Sequence, residues 1–388
     1  MAYYLYRMLE HLGPEWTERL GFLNVFQYLS VRTIGGAGTA FLLVLFFGPY
    51  TIRTLIRLKI GQFVRSDEVL ADYHKKAGTP TMGGVLIIAS VVISTLLWAV
   101  PTNLYVWLTL LTMIFYGCIG FYDDYLKLKG RSADGLSSRG KLILQSIWAV
   151  IVFSILYSNP GTQVHVTQLM VPFLKDPLIA MPVALAFIFI LLVLVGSSNA
   201  VNLTDGMDGL AIGCSNAAAL AYLVMAYVAG NVIYSNYLYV PYIANVGELS
   251  VFCGCLMGAG LGFLWYNCHP ARVFMGDTGS LSIGASIGIV AILIKQELVL
   301  VIVGGVFVME ALSVVIQVSY FKFSRKRFGE GRRIFRCSPI HHHFQMVAKE
   351  NAEKEGRDPK ATETMVVVRM WILAILFAIV GVATLKIR

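Results

Sequence analysis

The stretch Ser280–Phe321, SLSIGASIGIVAILIKQELVLVIVGGVFVMEALSVVIQVSYF, decides the fold. It is about twice the roughly 20 apolar residues that cross a bilayer as one helix. A charged break at Lys295-Gln296-Glu297 divides it into two spans, near 280–294 and 298–321. Working outward, further apolar runs of helical membrane length fall near 35–55, 84–100, 104–122, 142–157, 177–197, 209–229, 248–266 and 366–386. The expected fold is therefore an all-α, polytopic membrane protein of about ten transmembrane helices. Composition agrees. The chain is 57% hydrophobic and 14% charged, against about 25% charged in ordinary globular chains, and its mean hydropathy is +0.70.

The formal net charge of +9 reads as topology rather than as a nucleic-acid footprint. If the connections after every odd-numbered span share one side, that side collects Arg53, Arg57, Lys59, Arg65, Lys75 and Lys76. It also collects Lys127, Lys129, Arg131, Arg139, Lys141 and Arg272. The 322–362 connection adds Lys322, Arg325, Lys326, Arg327, Arg332, Arg333, Arg336, Lys349, Lys354, Arg357 and Lys360. Together these are 23 of the 31 lysines and arginines. Cytosolic loops accumulate such residues, so that side is read as cytosolic and both termini as periplasmic.

Residues 1–34 hold Arg7, Glu10, Glu15, Glu18 and Arg19 among aromatics. That pattern is unlike a cleavable leader and suits an N-terminal periplasmic segment lying at the membrane interface. Residues 322–362 form a basic cytosolic loop, and 1–388 is read as a single transmembrane domain. The six cysteines contain no CxxC pair, which argues against a structural zinc site. No internal repeat stands out, as it does in many transporters.

Four polar clusters interrupt the apolar background: Asp123-Asp124, Asn202-Leu203-Thr204-Asp205-Gly206-Met207-Asp208-Gly209, Phe274-Met275-Gly276-Asp277-Thr278-Gly279-Ser280, and Ser338-Pro339-Ile340-His341-His342-His343-Phe344. Two spans separate each cluster from the next. An even number of crossings returns the chain to the same face, so all four are expected at one rim of the bilayer, the cytosolic one. Neighbouring carboxylates repel unless a cation or a proton intervenes. A hard divalent cation held by carboxylates and substrate phosphates fits magnesium.

Plainer uses of the same residues stay open at this point. Asp123-Asp124 is also what a solvated span end looks like. The Asn202–Gly209 segment is also a Gly-rich turn, and Asp277 is also a helix cap. The three histidines with Cys337 offer zinc donors, although consecutive side chains point in different directions. Glu310, well inside a span, suits either a transport site or a hydrogen-bonded structural role.

Taken together, the Asp pair, NLTDGMDG, the GDTGS segment, Lys76-Ala77-Gly78-Thr79-Pro80-Thr81-Met82-Gly83-Gly84 and the SPIHHHF run resemble one family. It is the phospho-N-acetylmuramoyl-pentapeptide transferase branch of the polyprenyl-phosphate N-acetylhexosamine-1-phosphate transferases. The resemblance covers about Lys75 to Phe344. It implies transfer of phospho-MurNAc-pentapeptide from UDP-MurNAc-pentapeptide to undecaprenyl phosphate. The products are lipid I and UMP, at the bacterial inner membrane, with Mg2+ as cofactor and the active site cytosolic. The partners implied are the two substrates and the lipid bilayer, with no nucleic acid; a homodimer is compatible with the sequence.

The resemblance also implies roles. Asp277 is similar to the family's magnesium ligand, with Asp123 and Asp124 as further candidate ligands. Asp123 resembles a residue proposed to deprotonate the lipid phosphate, although a lipid phosphate is already largely ionised at neutral pH. A base, a nucleophile and a metal-site residue all remain open for it. Asn202 and Asp205 resemble positions near the ribose and phosphates. Gly206, Met207, Asp208 and Phe274 resemble the uracil pocket. Lys76, Thr81, Lys127, Arg131 and Lys141 match polar positions of the cleft, Arg131 standing where some relatives carry lysine. His341 and His342 match a run needed for activity. The competing readings are a related transferase using UDP-GlcNAc, an ion-coupled transporter and a metal-binding structural protein.

Overall fold

The computed structural model of the protein describes residues 3–4, 21–58, 79–130, 135–356, 358 and 361–387. Among these, nine helices are long and apolar enough to cross a membrane, and a tenth apolar helix is shorter. Helices satisfy their own backbone hydrogen bonds in hydrocarbon, which fits the near absence of strands among the described residues.

In chain order the helices are α1 (Leu29–Arg57), α2 (Gly84–Trp98), α3 (Leu104–Gly130), α4 (Ser138–Ser158), α5 (Pro160–Thr167), α6 (Val183–Thr204), α7 (Leu210–Ala229) and α8 (Val232–Leu238). They continue as α9 (Leu249–Asn267), α10 (Gly276–Leu293), α11 (Val299–Val303), α12 (Gly305–Phe328), α13 (Ile340–Lys354) and α14 (Thr362–Ala383). Short 3-10 turns cover Gly21–Gln27 and Val246–Glu248.

The expected spans are present, with shifted ends. The run expected at 177–197 begins later, at Val183, because Ile179–Ala180 pairs with Gln168–Leu169 in a two-stranded antiparallel ladder. The run expected at 104–122 continues as helix to Gly130, carrying Asp123 and Asp124 in its last turns. The run expected at 298–321 is broken at Gly304 into α11 and α12. The basic 322–362 segment is not simply a loop, since α13 lies inside it. Residues 1–2 and 5–20 of the expected N-terminal segment, and Lys59, Arg65 and Lys75, lie outside the described residues.

Helix α10 is the centre of the bundle. Inside the protein lies 89% of its apolar window, against 22% for α6 and 28% for α14. It packs on α3 and α6, and small residues permit the approach. A Cβ on Gly120 of α3 would fall 2.1 Å from the Asp277 carbonyl oxygen. Only glycine lets α3 pass that close to the start of α10, and this sets Asp123 and Asp124 beside Asp277.

The opposite end of the bundle is braced by buried ion pairs. Arg32 grips Glu248 with two nitrogens at 2.6 and 2.7 Å, and Glu248 also accepts the Val100 amide at 2.9 Å. The charged break Lys295-Gln296-Glu297 is itself buried, with Lys295 2.5 Å from Glu297. A buried charge persists only when paired. Each charge here is paired within the protein, so the joint between α10 and α11 is closed rather than open to solvent.

Candidate active site

Asp124 is buried, and both its oxygens are used by the start of α10. Oδ2 accepts from the Thr278 amide at 3.1 Å and the Thr278 hydroxyl at 2.8 Å, while Oδ1 accepts from the Asp277 amide at 3.3 Å. The first amides of a helix have no partner within it, and a carboxylate there satisfies them and meets the positive end of the helix dipole. The capping use considered for Asp277 therefore belongs to Asp124.

Asp277 is free of that duty and turns outward. Its Oδ1 accepts from Asn202 Nδ2 at 2.9 Å. Its Oδ2 accepts from Lys127 Nζ at 3.1 Å and Lys141 Nζ at 2.8 Å. Asn202 donates as well to Ser280 Oγ at 2.9 Å. Asp123, one residue before the cap, accepts from the Leu136 amide at 2.8 Å and lies 2.6 Å from Lys127 and 3.4 Å from Lys141. Asp123, Asp124 and Asp277 each place an oxygen within 4.8 Å of the others. Three carboxyl groups face two ammonium groups. The cluster's donors are hard oxygens, the set that suits magnesium, and so the residues fit the implied ion.

Asp205 follows the last turn of α6. Burial first, then the charges of Asp277, Asp124 and Asp208, push its carboxyl up to about 8. A raised carboxyl pKa means that the neighbourhood disfavours a further negative charge.

The 206–209 turn is held from three directions. A Cβ on Gly206 would fall 2.3 Å from His341 Nε2, so this position admits only glycine while His341 stays in place. His341 is fully buried, with Nδ1 3.0 Å from Glu310 Oε2. That pairing accounts for Glu310 as a hydrogen-bonded residue of the site, not as a transport group. Asp208 is also buried. Its Oδ2 accepts from the Ala271 amide at 3.1 Å and lies 2.9 Å from His269 Nδ1. The Asp208 amide lies 3.5 Å from Glu363, and the Gly209 carbonyl accepts from Trp371 Nε1 at 3.1 Å. Thus α14 grips both ends of the turn.

Phe274 is half-buried. It is pinned by backbone hydrogen bonds to Pro80 and Gly83, at 2.8 and 2.9 Å. The same pairing sets buried Thr81 against Gly276, whose missing Cβ would sit 2.8 Å from Thr81 Oγ1. Met207, in the 206–209 turn, is buried. The His342 ring lies tilted at 55° against that of His341, with centroids 4.1 Å apart. Lys76 and Arg131 lie outside the described residues. Among the described residues, the metal-capable groups are the Asp123–Asp124–Asp277 cluster and an Asp208–His269–Glu363 cluster. Neither includes the three consecutive histidines or Cys337, so the zinc alternative has no geometry behind it.

Several residues of this rim are invisible to motif reading. Thr278 and Ser280 lie within the quoted GDTGS segment without a role of their own. Glu363 and Trp371 belong to the last span and carry no local signal. Asn267 accepts the Gly209 amide at 3.1 Å and donates to Val273 at 2.8 Å, again with nothing in the sequence to mark it.

The chain is similar to known proteins along nearly its whole length. A model of glycosyl transferase family 4 matches residues 106–295. A phospho-N-acetylmuramoyl-pentapeptide-transferase signature matches 76–88. The chain is 52% identical to the phospho-N-acetylmuramoyl-pentapeptide-transferase of Desulfotalea psychrophila, covering 97% of this chain and 99% of that protein. It is 48% identical to the same-named protein of Syntrophus aciditrophicus, and 46% to that of Desulforapulum autotrophicum. Each of these alignments covers 98% of this chain and 100% of the relative.

Proposed function

This chain belongs to the phospho-N-acetylmuramoyl-pentapeptide-transferase family, and on that premise we propose that it carries out the family's reaction at the carboxylate–lysine cluster. An oxygen of undecaprenyl phosphate attacks the sugar-bearing phosphorus of UDP-MurNAc-pentapeptide. The bond from that phosphorus to the bridging oxygen breaks, and UMP leaves with the electron pair. The other product is undecaprenyl-pyrophosphoryl-MurNAc-pentapeptide, lipid I, a precursor of peptidoglycan.

The observation that carries this reading is the set of partners around Asp277: Asn202, Lys127 and Lys141 all donate to it, with Asp123 and Asp124 alongside. Phosphoryl transfer asks a protein chiefly for positioning and charge neutralisation. Mg2+ held by Asp277, with Asp123 alongside, would offset the charge of the diphosphate. Lys127 and Lys141 are placed to do the same from the side of α3 and α4. Asp124 orients the start of α10, so its contribution is indirect.

Asp205 and Asn202 face the ribose and phosphates in this reading, and the Gly206–Asp208 turn with Phe274 takes the uracil. His341, oriented by Glu310, closes the site beside Gly206. The bias of lysine and arginine supports a bacterial inner-membrane location with this rim cytosolic and both termini periplasmic. Purified protein with both substrates should release UMP only when Mg2+ is supplied. Turnover of UDP-GlcNAc in place of the muramoyl nucleotide would instead favour the neighbouring branch of the superfamily.

A further inference from the structure

The end of α12 carries a feature the reaction does not use. The helix runs to Phe328, and the chain then turns back along it. Gln317 fastens the return: its side-chain oxygen accepts from the Ile334 and Phe335 amides at 3.1 and 3.0 Å, and its nitrogen donates to the Phe335 carbonyl at 3.2 Å. Ser324 adds a bond from the Arg332 amide at 2.8 Å. Lys322, Arg325, Lys326 and Arg327 on the helix are thereby brought beside Arg332 and Arg333 on the return, all exposed and with Glu330 as the sole acid among them.

Apolar rings lie among these cations. Phe323, Phe328 and Ile334 are 57%, 52% and 50% exposed. The Arg332 guanidinium stands 4.8 Å over the Phe328 ring, and that of Arg327 6.0 Å from it. This lies at the end of a membrane-crossing helix whose preceding turns leave Leu312, Val315 and Ile316 exposed. Exposed aromatics at the end of a span sit at headgroup depth, and clustered lysine and arginine there meet the negative surface of an anionic leaflet.

We propose that residues 322–335 form a docking platform for anionic phospholipid headgroups. Charge complementarity favours that occupant, and the interleaved exposed rings favour a membrane lipid over a soluble polyanion. Arg336 pairs with Glu350 and so ties the platform to α13, the helix that carries His341. The proposal does not depend on which nucleotide sugar the enzyme uses.

The test compares full-length wild type with a Lys326→Gln/Arg327→Gln/Arg332→Gln variant. Each is reconstituted in nanodiscs of phosphatidylcholine mixed with phosphatidylglycerol, and the retained lipids are read by native mass spectrometry. Each cation near an anionic surface contributes about a fivefold preference. The wild type should therefore retain phosphatidylglycerol selectively, and the triple variant should lose roughly tenfold or more of that selectivity. UMP release in detergent should stay at the wild-type rate, since none of the three residues belongs to the site. A Gln317→Leu variant keeps every charge and should still lose selectivity, because the return is unfastened. Equal retention of both lipids by the wild type, unchanged selectivity in the triple variant, or displacement of phosphatidylglycerol by an RNA oligonucleotide would overturn the proposal.

Discussion

Asp124 caps the helix that carries Asp277: a carboxylate on α3 accepts both the amide and the hydroxyl of Thr278, 154 residues further along the chain. The acidic pair is thereby split. One member builds the site's frame, and its neighbour Asp123 faces the lysines.

Replacement of Asp124 is expected to show that division. Asp124→Asn keeps the shape but weakens charge-assisted hydrogen bonds to a helix start, a change that costs about 1–2 kcal/mol. Thermal unfolding in detergent should fall accordingly, and UMP release should fall with it. Asp277→Asn should nearly abolish UMP release with a smaller effect on unfolding, because Lys127 and Lys141 retain Asp123 as a partner. Equal unfolding temperatures for wild type and Asp124→Asn would contradict the capping role.

Stability should depend on pH through Asp205. Its carboxyl is raised to about 8 in the fold, against about 3.9 in an unfolded chain. The unfolded chain therefore gives up this proton first as pH rises, and ionising Asp205 in the fold is penalised increasingly between those two values. In metal-free protein, Asp205→Asn should stabilise most above about pH 8, less as pH falls, and not at all near pH 4. Added Mg2+ should shrink the gain by offsetting the neighbouring carboxylates. A gain independent of pH would point to a cause other than this charge.

Nucleotide binding should depend on the last helix. Glu363 and Trp371 of α14 hold the two ends of the Asp208–Gly209 turn, so neither residue needs to touch a substrate to matter. Glu363→Ala removes a bond to a buried amide and is expected to raise KM for the nucleotide roughly tenfold, with kcat changed much less. A fall in kcat at constant KM would assign Glu363 to the chemical step instead.

The number of spans and the meeting of four distant clusters at one rim were legible in the sequence. Apolar run length and crossing parity are both local counts. The division of labour within the rim was not. Asp277 at the start of a helix satisfies the pattern for a cap, and only the packing of α3 across α10, allowed by Gly120, hands that task to Asp124. Glu310 stood out as an acid within a span, yet its use depends on His341, 31 residues on, folding back over it. Glu363 and Trp371 had no signal, because an acid in the first turn of a span and an aromatic within it are ordinary residues of membrane helices. The short ladder at Gln168–Leu169 and Ile179–Ala180 was hidden by an apolar run continuous with α6.

On the proposed function, Asp277 with its acidic neighbours holds a divalent ion. The most direct measurement is Mn2+ binding to the detergent-purified protein, followed by electron paramagnetic resonance, in wild type, Asp277→Asn and Asp208→Asn. Wild type and Asp208→Asn should bind the ion and Asp277→Asn should not. Undiminished Mn2+ binding by Asp277→Asn would contradict that reading.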